Sequence, residues 1–220
     1  MKFLIHTYPK RLWYVEEFLV PSLKAQGAEN IEIWNDIEKK GNLRACMESF
    51  AARSGNGGTW HLQDDVIICH DFVEQCEEHD DGVVFGFCCR NFNDRLSAYG
   101  DVYVPDAWNS FQCVRIPDQW ARECADWVFS LKWETESTCP ELPILWKLNK
   151  GDDTFFHEFM ASRYSTETAE NMKPNIVDHV DYLVGGSSIN YRDYIARAEY
   201  FEDQYLIEEL AQAIKRRNSR

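Results

Sequence analysis

Two acidic pairs and one histidine are the residues of this chain best suited to chemistry. Asp64 and Asp65 end the run Thr59-Trp60-His61-Leu62-Gln63-Asp64-Asp65-Val66-Ile67-Ile68, and apolar residues resume directly after them. A buried strand has no use for paired acids in its interior, because an unpaired charge there is costly. The pair belongs where the strand leaves the core, at the carboxyl edge of a sheet, which is where open α/β sheets bind ligands. Two carboxylates at that edge suit a divalent cation with hard oxygen ligands, Mn2+ or Mg2+, and such ions hold phosphates. A plainer reading of the pair alone is a cap on the turn before a helix at Asp71.

A second pair lies in Gly151-Asp152-Asp153-Thr154. Aspartate there is a good helix N-cap and is favoured by the helix dipole, so one of the two has a structural use. Asp153 can also face a cleft as a general base, because helix amino ends commonly lie at a sheet's working edge. His179, in Asn175-Ile176-Val177-Asp178-His179-Val180, stands on an apolar strand, where histidine is more often a satisfied core residue than a ligand. It is followed by Gly185-Gly186-Ser187-Ser188, a turn able to offer backbone N–H and hydroxyl donors to an anion.

The segments that must position these residues follow an alternating pattern. Lys2 to His6 reads as a first strand rather than a signal peptide, followed by a turn at Thr7-Tyr8-Pro9. Trp13, Val15, Phe18, Leu19 and Leu23 mark a helix bent or restarted at Pro21. Ile31 to Trp34 is a second strand ending at Asn35-Asp36. Leu43, Cys46, Met47, Phe50 and Ala51 have helical spacing. The Gly55-Asn56-Gly57-Gly58 turn then leads into the central strand, giving β-α-β-α-β, the order of a mostly parallel sheet with helices on both faces. Further on, a helix is expected from Asp71 to Glu78 and a strand from Gly82 to Cys89. Phe111 to Ile116 reads as a strand, and Pro117-Asp118 opens a helix whose Trp120 and Trp127 belong to the core. Helices are also expected over Leu142–Leu148 and Gly151–Arg163. Asn175 to Tyr182 is strand-like, and Tyr205, Leu206, Leu210 and Ile214 form a closing amphipathic helix.

Composition sets outer bounds. The 220 residues are 45% apolar and 14% aromatic, enough for one well-filled core. Acids outnumber bases 37 to 23, a formal charge of −14 that repels phosphate backbones and disfavours nucleic acid as a partner. Lys215, Arg216, Arg217 and Arg220 form a basic tip that reads as a solvated, frayed end. No apolar run approaches the length of a membrane span. The eight cysteines lie mostly inside apolar periodic segments without a C-x-x-C, as expected of reduced core residues in a cytoplasmic protein.

Taken in order, the motifs resemble those of nucleotide-sugar-dependent glycosyltransferases of the GT-A fold. Leu62-Gln63-Asp64-Asp65-Val66 is similar to the acidic D-x-D or E-D-D motif that ends the nucleotide-binding half. Gly151-Asp152-Asp153-Thr154-Phe155-Phe156 resembles a later acidic pair opening a helix. Pro174-Asn175-Ile176-Val177-Asp178-His179 with Ser187-Ser188 resembles a segment near the end of the catalytic domain. The resemblance spans roughly residues 1–190 and implies a single Rossmann-like α/β domain there, with 191–220 as a helical extension.

It also implies a site. Thr7 and Tyr8 look like residues lining the nucleotide base, and Asp36 like an acid bonding base or ribose. Asn42 and Arg44 fall where base or diphosphate is met, although Arg44 reads equally as a solvated first-turn residue. Asp64 would approach ribose or donor sugar, Asp65 and His179 would ligate the metal, and Ser187 and Ser188 would meet the departing phosphates. Asp153, beside Asp152, would take the acceptor's proton and give inversion. One departure is Gln63, which replaces the first acid of the E-D-D motif with a neutral amide. The donor would be a nucleoside-diphosphate sugar, a UDP-sugar foremost, and the acceptor a glycan or other hydroxyl. Residues 90–108, with Trp108 as a stacking platform, are expected to hold that acceptor. The rivals are a nucleotidyltransferase on the same kind of sheet, though Thr7-Tyr8-Pro9-Lys10-Arg11 lacks its usual glycines, and a non-catalytic nucleotide-sugar or carbohydrate-binding module.

Overall fold

The computed structural model describes residues 1–86, 111–131, 152–163, 169–172, 175–185 and 201–219. The expectations for Trp108, the rest of 90–108, the helix at 142–148, Ser187 and Ser188 lie outside them.

Strand β1 (Lys2–Thr7) leads into a helical segment of three parts: α1 (Leu12–Tyr14), a π-helical turn (Val15–Leu19) and α2 (Val20–Ala25). The expected bend at Pro21 takes this form. Proline has no N–H to return to the preceding turn, so the ladder widens just before it. Strand β2 (Asn30–Asn35), helix α3 (Asn42–Ala51) and strand β3 (Gly58–Gln63) complete the β-α-β-α-β unit. Next come β4 (Val66–Ile68), α4 (Phe72–Glu78), β5 (Val83–Phe85), β6 (Cys113–Pro117), α5 (Asp118–Ser130) and α6 (Asp152–Arg163). The described chain closes with β7 (Ala169–Asn171), β8 (Val177–His179), α7 (Asp181–Val184) and α8 (Gln204–Asn218). The strand-like run from Asn175 is therefore shorter than expected, and its last residues form α7.

Six strands form one sheet in the order β2-β1-β3-β6-β5-β7. β1 is parallel to β2 and β3, and β5 to β7, while β6 runs antiparallel to both β3 and β5. Alternation along the strands feeds two cores, as the pleat requires. Phe3, Ile5, Trp60 and Leu62 pack with Tyr14, Leu19, Leu23, Phe72 and the α8 residues Ile207, Leu210 and Ile214. On the opposite face, Val114, Ile116 and Phe85 pack with Met47, Phe50, Phe155, Phe156 and Phe159 from α3 and α6. Trp120 and Trp127 lie against this second core. Residue 86 is held to glycine by close approach: an added Cβ would stand 2.7 Å from Ile176 Cγ1 and 2.8 Å from Cys113 Sγ.

Among the described residues, Cys46, Cys69, Cys76, Cys113 and Cys124 are free and buried. The basic tip is less loose than its composition implies. Arg217 donates from Nε to Glu17 at 2.8 Å and stacks over Trp13 at 4.1 Å, pinning the end of α8 to the first helical segment. Among the described residues no helix is long and apolar enough to cross a membrane.

Candidate functional site

The parallel register of β1 and β3 sets His6 opposite Gln63, so the next residues, Thr7 and Asp64, meet just beyond the sheet. Thr7 donates its hydroxyl to Asp64 Oδ2 at 2.7 Å. Asp64 and Asp65 form the turn between β3 and β4, and both are buried. β4 then pairs antiparallel with β8 as a two-stranded ribbon in which Val66 faces His179. The Val180 N–H donates to the Asp65 carbonyl at 2.7 Å. This register carries the His179 ring to Asp65, with Nε2 3.1 Å from Oδ2. A slip of one residue would turn Asp178 toward Asp65 instead.

The group that joins these acids is Arg11, 5% exposed and just ahead of α1. Its Nη1 donates to Asp64 Oδ1 at 3.0 Å and also reaches Asp65 Oδ2. Nη2 bonds Asp181 at the start of α7, and Nε donates to the Gly185 carbonyl at 2.9 Å. The guanidinium also lies 5.7 Å from the centre of the Tyr8 ring. One cation thus ties β1's exit, the acidic turn and α7 together. Burial alone would lower the Arg11 pKa, yet Asp65, Asp64 and Asp181 hold it above its ordinary value.

The two carboxyls titrate in opposite directions. Burial, then the neighbouring Asp65 charge, pushes Asp64 up to about 6. Burial also opposes ionisation of Asp65, but His179 and Arg11 outweigh it and hold that carboxyl below its usual range. His179 moves the complementary way: burial lowers it, and Asp65 more than compensates. Asp65 is therefore the more readily ionised member of the pair. Its Oδ1 is buried without a hydrogen-bond partner. An orphaned carboxylate oxygen beside an imidazole nitrogen is a donor set that fits a Mn2+ or Mg2+ ion.

The other residues singled out from sequence fall into separate groups. Asp36 spends both oxygens on its own loop, accepting from the Lys40 N–H at 2.9 Å and the Gly41 N–H at 3.1 Å. Arg44 is exposed and pairs with Glu48 at 3.3 Å within α3. Asn42 Nδ2 donates to Asp152 Oδ1 at 2.7 Å, and Gln63 Nε2 lies 3.5 Å from Asp152 Oδ2. Asp152 is 2% exposed, whereas Asp153 is half-buried. Burial, then the Asp153 charge, raises Asp152 to about 7. Arg11 and Asp181 are absent from the sequence-derived site. The sequence signal for Arg11 is its place directly after the first strand's turn, in a segment read there only for its lack of glycines.

The parallel β2-β1-β3 unit, the acidic turn at its carboxyl edge and the antiparallel β6 beyond it make this a GT-A-type α/β fold. Solved glycosyltransferases share it. The galactosyltransferase LgtC, crystallised with donor and acceptor sugar analogues, superposes with a TM-score of 0.52 and 13% identity, covering 97% of this chain and 96% of that one. The glycosyltransferase GlyE of Streptococcus pneumoniae TIGR4 gives 0.50 and 8% over 97% of this chain. The match takes in 62% of GlyE, so this chain spans less than two thirds of that protein. No protein-family model matches the sequence, and no curated protein matches it.

Proposed function

We propose that the chain is a glycosyltransferase moving a sugar from a nucleoside-diphosphate donor, a UDP-sugar foremost, to an acceptor hydroxyl. The observation that carries this reading is the meeting of Asp64, Asp65, His179 and Arg11 at the carboxyl edge of a GT-A sheet. Transfer needs a leaving group made tolerable and a hydroxyl made nucleophilic. A divalent ion on Asp65 and His179 would supply Lewis-acid charge to the departing diphosphate. Arg11, its fork of donors engaged by Asp64, Asp65, Asp181 and the Gly185 carbonyl, would add a fixed cation beside the departing charge. Thr7 and Tyr8 at the exit of β1 would line the base, and Ser187 and Ser188 would add donors for the anion.

Asp153 is the proposed general base, giving inversion. Its half-buried place in the first turn of α6 supports this role, since Asp152 beside it is buried and bonded to Asn42. Residues 1–190 would carry the reaction. The 191–220 extension includes α8, which buries Ile207, Leu210 and Ile214 in the core beneath β1 and β3.

A thermal-shift screen of nucleotide sugars with and without Mn2+, followed by product analysis, tests the proposal. Release of nucleoside diphosphate together with a glycosylated acceptor supports it. Pyrophosphate release would replace it with a nucleotidyltransferase, and tight donor binding without turnover would replace it with a binding module.

A further inference from the structure

A second polar cluster lies on the other side of the sheet, apart from the acidic turn. Leu4 of β1 pairs with His61 of β3, so His6, two residues on, shares a sheet face with His61. Cys46 of α3 and Asp152 of α6 come down onto that face. One ligand atom from each of His6, Cys46, His61 and Asp152 lies within 4.8 Å of every other, and all four residues are buried.

The surroundings are apolar. Phe50 and Phe111 pack their rings against His61 at 5.6 and 5.8 Å between centres. Burial keeps both imidazoles neutral, with His6 lowered to about 4 and His61 well below its ordinary value. His61 is fully buried, and neither Nδ1 nor Nε2 has a hydrogen-bond partner. A buried ring nitrogen without a partner gives up its hydrogen bond to water and gains none in return, so native proteins seldom leave both unmet. Asp152, by contrast, is oriented from outside the cluster by the Asn42 amide. Such a second contact is what metal-ligating carboxylates commonly have.

We infer that His6, Cys46, His61 and Asp152 form a structural zinc site. Four ligands of N, N, S and O type suit Zn2+, whereas the hard-oxygen acids at Asp64 and Asp65 suit Mn2+ or Mg2+. Zinc bonds of about 2.0–2.3 Å put tetrahedral ligand atoms about 3.3–3.6 Å apart. The observed spread closes onto an ion by a contraction of roughly 1 Å, within ordinary side-chain adjustment. Charge also balances: two neutral imidazoles, one thiolate and one carboxylate with Zn2+ sum to zero, as an apolar interior demands. Binding displaces the Cys46 proton, and any proton held by Asp152, to solvent and joins β1, β3, α3 and α6 at one point. The site stands whether or not the chain transfers sugars.

The test uses the full chain, stripped with a zinc chelator and repleted with Zn2+ in excess Mg2+. One bound zinc per chain by elemental analysis, with a higher melting temperature than the stripped protein, is the expected result. Co2+ in place of zinc should give a thiolate-to-metal charge-transfer band that Cys46→Ser abolishes. His61→Asn and Asp152→Asn should each lose the bound equivalent, and either replaces Cys46→Ser should that variant not fold. Asp65→Ala should keep the zinc. No zinc on the folded parent protein, zinc retained by His61→Asn and Asp152→Asn alike, or zinc lost with Asp65→Ala would each overturn the inference and leave a buried polar cluster that holds no metal.

Discussion

Replacing Arg11 by methionine keeps most of the side-chain bulk and removes the cation shared by Asp64, Asp65 and Asp181. Deleting one partner of a buried ion pair costs about 3–5 kcal/mol, because the other charge is left uncompensated. Here the loss is cushioned. Asp65 keeps His179 at 3.1 Å, Asp64 keeps the Thr7 hydroxyl at 2.7 Å, and the Asp181 side chain is 27% exposed, so solvent screens it. The expected cost is the lower end of that range, about 3 kcal/mol in urea melts without divalent ions.

Its pH dependence has a definite sign. Asp64 already stands at about 6 in the folded chain, above an ordinary carboxyl. A raised carboxyl weakens the fold as pH climbs from the unfolded value through the folded one, because the folded state holds the proton longer. Without Arg11 that value rises further, so the variant's deficit is smaller near pH ~5, where Asp64 is protonated and Asp65 still lacks its cation, and grows toward pH ~8. Mn2+ returns positive charge to the same oxygens and should stabilise Arg11→Met more than the parent. A loss under about 1 kcal/mol, as for a surface pair, or equal stabilisation of both proteins by Mn2+, would refute Arg11 as the resident counter-charge of the site.

Other perturbations separate the remaining roles. Asp65→Ala should abolish Mn2+-dependent binding of a nucleoside diphosphate in calorimetry; unchanged binding would remove Asp65 from the metal. Asp153→Asn should lower turnover by roughly 10²–10⁴-fold while donor affinity holds, and a loss under tenfold would deny it the proton. Gly86→Ala should cost about 1–3 kcal/mol by driving a methyl into Ile176 and Cys113, read from chemical denaturation. His70, with Nδ1 2.8 Å from Asp203 Oδ2 at the start of α8, has its pKa raised first by that hydrogen bond. Its contribution is complete below the unfolded histidine value and fades as pH rises through the folded one. Protection of the α8 amides, taken relative to the intrinsic base-catalysed exchange rate, should therefore fall over that window in the parent and stay flat in His70→Gln.

Local periodicity made the front half of the chain legible. The spacing of Leu43, Cys46, Met47 and Phe50 and the run before Asp64 mark α3 and β3, because α3 buries one face against the sheet and β3 is buried on both. The β4–β8 ribbon was harder to read. Each strand has three residues, too few to show a period, and their pairing links distant parts of the chain. Arg11 was hidden for a related reason: its three carboxylate partners arrive from the acidic turn and α7, so nothing beside it in sequence marks it as buried. Arg44 shows the converse, since a basic residue in the segment expected to meet base or diphosphate pairs with Glu48 one helical turn away instead. His6, Cys46, His61 and Asp152 each resemble core or capping residues alone, and only the β1–β3 register with two helices overhead assembles them.

The β4–β8 ribbon makes completion of the acidic pocket a late event in the life of the molecule. A growing polypeptide holding everything through β6 already has Arg11, Asp64 and Asp65, yet lacks the imidazole and the strand that carries it. Separate fragments divided between β6 and β8 should each be inert toward a nucleotide and should recover that capacity only on recombination.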